Sequence, residues 1–251
     1  MHSRIAFLDL RRYAILLDVD GTLLDIAPRP QDVVVPPSLR RTLAVLSDRV
    51  DGALALVSGR PLADLDRLFS PLRLPAIGGH GAEMRLAVGG TPIARHAAPL
   101  DQRLREAVRA AAARHAGITV EDKGYSVALH YRFAPREGLA LGHELRHLCA
   151  NWNDPSIELL SGKAVIEVKS RGFNKGMAVR ELMRHAPFSG RIPVFVGDDR
   201  TDEDAFAVVP DFGGVAASVG RRLAQVQCSF ASPAEVRQWL DRLAFEPAVT
   251  P

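Results

Sequence analysis

Lysine is scarce in this chain. Of 32 basic residues only four are lysines, at Lys123, Lys163, Lys169 and Lys175. A planar guanidinium does not replace an ammonium on a flexible stem, so these four are candidates for function. Cysteine is scarcer still. Cys149 and Cys228 make neither a disulfide framework nor a zinc cluster, and a cytosolic setting, hence a cytoplasmic location, is the expectation. Nowhere do about 18 uncharged apolar residues run together, so no membrane span and no membrane partner are expected. The opening MHSRIAFLDLRR lacks a long apolar core and a small-residue cleavage site, so no signal peptide is expected. A net charge of +3 would suit nucleic acid, yet no basic run is interleaved with aromatics, and no nucleic-acid partner is expected. Internal repeats and low-complexity segments are missing as well.

What is present suits a folded enzyme-sized chain. With 251 residues, 47% hydrophobic and 24% charged, the sequence can build one large domain or two modest ones. Three apolar runs end abruptly in polar residues: AILLDVD at Asp18 and Asp20, ALALVSGR at Ser58 and Arg60, and IPVFVGDD at Asp198 and Asp199. A run such as Ala14 to Leu17 reads as a strand buried on both faces. Residues i and i+2 of a strand share a side, which sets Asp18 and Asp20 at one place. A fourth short run, GGVAASVG, reads as another strand. Helical spacings lie between the runs: Leu39, Leu43 and Leu46 in one, Leu62, Leu65 and Phe69 in the next, with Pro61 suited to a first helical position. Strands alternating with helices predict a parallel, doubly wound sheet, with its ligand crevice at the strands' carboxyl ends.

The middle of the chain has another rhythm. Residues 101–115 form an amphipathic helical pattern with Leu104, Val108 and Ala111 on one stripe. ITVEDKGYSVALHYR alternates, Val127, Leu129 and Tyr131 against Ser126, His130 and Arg132. GKAVIEVKS alternates too, Ala164, Ile166 and Val168 against Lys163, Glu167 and Lys169. This predicts a half-exposed antiparallel sheet backed by helices, inserted between the second and third core strands. The expected division is a core of residues 1–85 and 171–251 and an insertion of residues 86–170.

The helix that follows has Asn174 as its N-cap, Lys175 in its first turn and an apolar stripe of Met177, Val179, Leu182 and Met183. Met177, Met183 and Phe206 read as core. Lys175 opposes the helix dipole, and so does Arg60 before the helix at Pro61. Both placements make sense beside an anion such as phosphate. Thr201 followed by Asp204 resembles a capping box. Asp198 and Asp199 are left without such an account. With Asp18 and Asp20 they crowd four carboxylates together, which must protonate or meet a cation. All-oxygen ligation with an anionic substrate favours Mg²⁺.

DVDGT, SGR, the lysine of NKG and GDDRTDEDAF, in that order, resemble motifs I to IV of the haloacid-dehalogenase superfamily. GGHGAEMR, EDKGYSVALHYR, GKAVIEVKSRGFNKG and GDDRTDEDAF resemble the trehalose-6-phosphate phosphatases across about residues 14–206. Val19 departs from the pattern, standing where Phe is more usual. The resemblance implies a Rossmann-like core with an α+β cap of the second type. It also implies Mg²⁺-dependent hydrolysis of trehalose 6-phosphate through an aspartyl phosphate. A trehalose-6-phosphate synthase is the partner that would precede it. Asp18 is then the nucleophile and Asp20 the general acid and base. Ser58 and Lys175 hold the phosphoryl oxygens, Arg60 is an anion contact, and Thr22 fixes the loop. The metal falls to Asp18, the backbone carbonyl of Asp20 and Asp198, with Asp199 and Asp202 outside them. Paired Glu and Lys side chains suit sugar hydroxyls, so Glu121, Lys123, Lys163 and Glu167 fall to the unphosphorylated glucose and Arg132 to the phosphorylated ring. His80 and His130 read as structural. Hinges for cap opening are expected near Arg85–Val88 and Ser170–Gly172. A related hydrolase of another sugar phosphate, of the sucrose phosphate or mannosylglycerate phosphate type, is the alternative. A phosphomutase and a silent sugar-phosphate sensor remain open.

Overall fold

The computed structural model describes residues 9–27, 32–93, 97–152, 154–162, 164–223 and 225–246. Its elements, in chain order, begin with β1 (Tyr13–Leu17), α1 (Pro37–Arg49), β2 (Leu54–Val57), α2 (Leu62–Phe69), β3 (Ala76–Gly78) and β4 (Glu83–Arg85). Next come α3 (Gln102–Ala112), β5 (Thr119–Asp122), β6 (Ser126–His130), α4 (Pro135–Asn151), β7 (Ile157–Gly162) and β8 (Val165–Ser170). The remainder is α5 (Lys175–Leu182), β9 (Ile192–Gly197), α6 (Glu203–Val208), β10 (Val215–Val219), β11 (Cys228–Phe230) and α7 (Pro233–Phe245).

The chain divides into two compact units: Met1–Arg95 with Asn174–Pro251, and His96–Phe173. Both divisions fall later along the chain than the expected 85/86 and 170/171. At the first, Ile93 still bridges Met84 beside β4. At the second, Phe173 meets Tyr125 edge-on and its carbonyl accepts the Lys169 ammonium at 2.5 Å. Arg85, where one hinge was expected, is clamped instead. It is 1% exposed, bonds Asp66 through both terminal nitrogens and donates Nε–H to the Leu74 carbonyl.

The first unit holds a seven-stranded sheet in the order β11-β10-β9-β1-β2-β3-β4, parallel except where β4 runs against β3. β1 pairs with β2 on one side and β9 on the other. From β1 the chain winds outward in both directions, the topological switch at which such sheets open a crevice. Ile15, Leu16 and Leu17 are fully buried, each contributing about 1.5–3 kcal/mol of apolar burial. On α5 the buried apolar face is Ala178, Val179 and Leu182, continued by buried Met183 at the C-cap; Met177 is 54% exposed and not core. It lies two positions from Val179, on the other side of a helix with 3.6 residues per turn. Phe206 is core, edge-on to Phe195, and Trp239 of α7 packs on Phe230.

The second unit holds an antiparallel sheet in the order β5-β6-β8-β7. Val127, Leu129, Ile166 and Val168 join α3 and α4 in a core of their own. The opposite face carries Glu121, Ser126, Ala128, His130, Glu167 and Lys169, set by the registers Glu121↔Ala128, Ala128↔Glu167 and Ser126↔Lys169. Ala164 has φ 62 and lies in the turn before β8 rather than on its apolar face.

Candidate active site

Asp18, Ser58 and Asp198 each follow the last residue of β1, β2 and β9, so the sheet order alone brings them to one end of three neighbouring strands. All three are buried, Asp18 at 5% exposure. The loop after β1 turns tightly. Leu23 and Leu24 donate backbone N–H to the Val19 carbonyl, and Gly21 takes a positive φ of 86°. A Cβ on Gly21 would stand 2.2 Å from an Asp198 oxygen, so only glycine lets this loop and the β9 carboxylate approach. Thr22 Oγ1 donates to Asp198 Oδ1 at 3.4 Å, tying the same loop to β9.

Lys175 is brought in by α5. Asn174 caps that helix, its side chain accepting the Met177 N–H at 2.8 Å. Lys175 is 2% exposed and donates to Asp18 Oδ1 at 2.7 Å and Asp202 Oδ1 at 2.6 Å. Two buried carboxylates therefore explain a cation in the first turn. Asp202 Oδ2 accepts the backbone N–H groups of Asp198 and Asp199, both at 2.9 Å. The capping box here is formed by Asp199 and Asp202 around a short 3-10 turn, not by Thr201 and Asp204. The strand's end and the turn's beginning fall closer together than the expected helix start, which shifts the cap toward the strand.

Ligand oxygens of Asp18, Asp198 and Asp202 lie within 4.8 Å of one another. Burial first, and then the charge of Asp202, push the Asp18 carboxyl well above its ordinary range, against the pull of Lys175. The Lys175 ammonium is raised: burial opposes its charge, but Asp18 and Asp202 outweigh that. Three carboxylates against one ammonium leave a formal surplus of two negative charges at this point. A hard divalent cation fits such an all-oxygen set.

The Asp20 carboxylate is engaged differently. Arg60 grips both of its oxygens, Nε to Oδ2 and a terminal nitrogen to Oδ1, each at 2.6 Å. Ser58 Oγ accepts the Arg60 backbone N–H at 3.1 Å. The N–H of Leu62, opening α2, goes to Glu83 Oε2 at 2.7 Å, so a carboxylate of the chain meets that helix end. Glu83 escaped the sequence reading because only the antiparallel turn of β4 returns it there.

In the second unit, Glu121 lies 3.0 Å from His130 Nε2, and Lys123 Nζ is 3.3 Å from Glu167 Oε1. Burial raises the Glu121 carboxyl, but the His130 hydrogen bond and the Lys123 charge pull it further down, leaving it below its usual range. Arg132 is half-buried beyond β6. Lys163 lies outside the described residues.

A switch-point sheet with a buried Asp–Lys–Asp triad and an inserted α+β unit defines a phosphatase of the haloacid-dehalogenase fold. The model of the family described as trehalose-phosphatase matches residues 16–230, and the chain belongs to that family of phosphoric monoester hydrolases. It is 40% identical over 232 residues to the trehalose-6-phosphate phosphatase of Escherichia coli, spanning 92% of this chain and 86% of that protein. It is 43% identical over 212 residues to a probable trehalose-phosphate phosphatase of Sinorhizobium fredii, covering 84% and 79% respectively. The solved C-terminal domain of the C. albicans trehalose-6-phosphate phosphatase superposes with a TM-score of 0.80 at 26% identity, over 93% of this chain and 92% of that one.

Proposed function

We propose that this chain hydrolyses trehalose 6-phosphate to trehalose and phosphate through an aspartyl phosphate on Asp18. The observation that carries the reading is the Lys175 ammonium bonded to Asp18 and Asp202 beside Asp198, at the mouth of the central strands. Asp18 Oδ attacks phosphorus, and the bond from phosphorus to the sugar oxygen breaks. Asp20 gives the departing oxygen its proton, which requires it to release part of its Arg60 grip. It then takes a proton from the water that cleaves the acyl phosphate, restoring Asp18. Lys175 and Ser58 hold phosphoryl oxygens, and the Lys175 ammonium works against the burial that raises Asp18, favouring the ionised form that attacks. Arg60 adds positive charge beside Asp20. Asp202 orients Lys175 and the backbone of Asp198 and Asp199.

Mg²⁺ would be held by Asp18, the Asp20 carbonyl and Asp198, with Asp199 and Asp202 behind them. When bound it neutralises the surplus negative charge and polarises the phosphoryl group. Glu121, Lys123, Glu167 and Arg132 recognise the sugar through the polar face of the second sheet, and Lys163 is a further sugar contact in this reading. We place the reaction in the cytoplasm, where a trehalose-6-phosphate synthase would supply the substrate; a chain with only two cysteines suits a reducing compartment.

Phosphate release from a panel of sugar phosphates, with Mg²⁺ or with chelator, tests this reading. Trehalose 6-phosphate should be preferred by at least about tenfold, roughly one well-made polar contact's worth of discrimination. Chelator should stop turnover, and Mg²⁺ should raise the thermal midpoint because it binds only the folded site. Preference for sucrose phosphate or a mannosylglycerate phosphate would overturn the substrate assignment. Sugar isomerisation outpacing phosphate release would make the chain a mutase.

A further inference from the structure

Ser126 is fully buried, yet it is polar and stands on the sheet face opposite the apolar core of its unit. Its hydroxyl donates to Glu167 Oε1 at 2.5 Å, on the neighbouring strand. The contact is diagonal, since Ser126 pairs in register with Lys169 and Glu167 pairs with Ala128. Lys169 is occupied elsewhere, by Glu158 at 2.7 Å and the Phe173 carbonyl. The Ser126 carbonyl accepts the Lys123 N–H at 3.0 Å, closing the turn that aims Lys123 Nζ at the same Glu167 oxygen. One serine thus ties down both charged groups, its hydroxyl holding Glu167 and its carbonyl holding the backbone of Lys123. A glutamate has three side-chain torsions, and holding them before the sugar arrives removes an ordering cost from binding.

We propose that Ser126 is a positioning residue for substrate specificity, fixing the Glu167 carboxylate so that it is already oriented for sugar hydroxyls. This rests on the reading that Glu167 recognises the sugar. A serine serving only the sheet would make the same bond, so the test must separate the roles. Steady-state kinetics on trehalose 6-phosphate and on an aryl phosphate, which offers no sugar, are measured for the unmodified chain, Ser126→Ala, Glu167→Ala and the double variant, each with its thermal midpoint.

Ser126→Ala should raise KM for trehalose 6-phosphate about tenfold, with kcat changed far less, as loss of one hydrogen bond to a charged group implies. The ratio of trehalose 6-phosphate to aryl phosphate efficiency should fall by the same factor. In the Glu167→Ala background, Ser126→Ala should cost less than about twofold further, because its effect passes through Glu167. Ser126→Cys, close in volume but a weak donor, should resemble the alanine variant. A fall in midpoint with the substrate ratio unchanged would make Ser126 merely structural and overturn the proposal. An equal loss with and without Glu167 would overturn it too. If Glu167→Ala itself leaves the ratio untouched, the reading of Glu167 as a sugar contact fails first, and the role of Ser126 falls with it.

Discussion

Asp18→Asn should lose turnover by about 10⁴-fold or more, the scale on which removal of a nucleophile is felt, while the folded protein becomes more stable. The two effects have one cause. Asparagine keeps the size of Asp18 and can still accept from Lys175, but it cannot form an acyl phosphate. Burial and the charges of Asp202 and Asp198 hold the Asp18 carboxyl above its ordinary range. The folded state therefore binds the Asp18 proton more tightly than the unfolded chain does. Stability linked to that proton is fully present at low pH and is lost as pH rises above the unfolded value of about 3.9 toward the raised folded one. In chelator at neutral pH the unmodified protein bears this loss and the asparagine variant does not. Its thermal midpoint should rise by about 2–4 °C for each ~1 kcal/mol of repulsion removed. Calorimetry beside a phosphate-release assay reads both effects. A variant that is inactive because it is unfolded would contradict the account.

Lys175→Met should do the reverse to stability. It leaves Asp18 and Asp202, both almost wholly buried, without their shared ammonium. Breaking a buried pair from one side costs about 3–5 kcal/mol, and loss of the group proposed to meet phosphoryl charge should lower kcat by about 10²–10³. Part of the stability should return as pH is lowered, since protonating Asp18 relieves the repulsion. Part should return with Mg²⁺, because the proposed cation site uses Asp18, one of the same carboxylates. Lys175→Arg should not restore activity, because a planar fork does not fit where a point ammonium meets two oxygens from one atom. Denaturant unfolding at two pH values, with and without metal, decides this. A variant as stable as the parent in chelator would show that the ammonium is not what holds these acids together.

The strands carrying Asp18, Ser58 and Asp198 were legible because a buried run has no local use for the polar residue that ends it. The inserted sheet was legible in the same way, from period-two alternation with one apolar face. Contacts made across elements were not. Arg60 had no visible partner until β1 and β2 paired and set it on Asp20. Glu83 caps α2 because β4 turns back along β3, and an edge strand of three residues gives almost no periodic signal. The cap at Asp199 was misplaced by a few residues because five acids in a row of seven positions offer several equivalent boxes. Met177 is apolar in type, which suggests core, but helical spacing from Val179 sets it on the exposed side. Ser126 looked like any polar strand residue, and only the strand register brings its hydroxyl to Glu167.

Covalent phosphorylation of Asp18 is the claim on which the chemistry rests. Its most direct test is rapid acid quench of the protein during turnover of trehalose 6-phosphate carrying a labelled phosphoryl group, followed by peptide mapping. Label should appear on the peptide containing Asp18, build up within the first turnover, vanish with alkali as an acyl phosphate does, and be missing from Asp18→Asn. Full turnover with no label on that peptide, or label lodged on another residue, would contradict it.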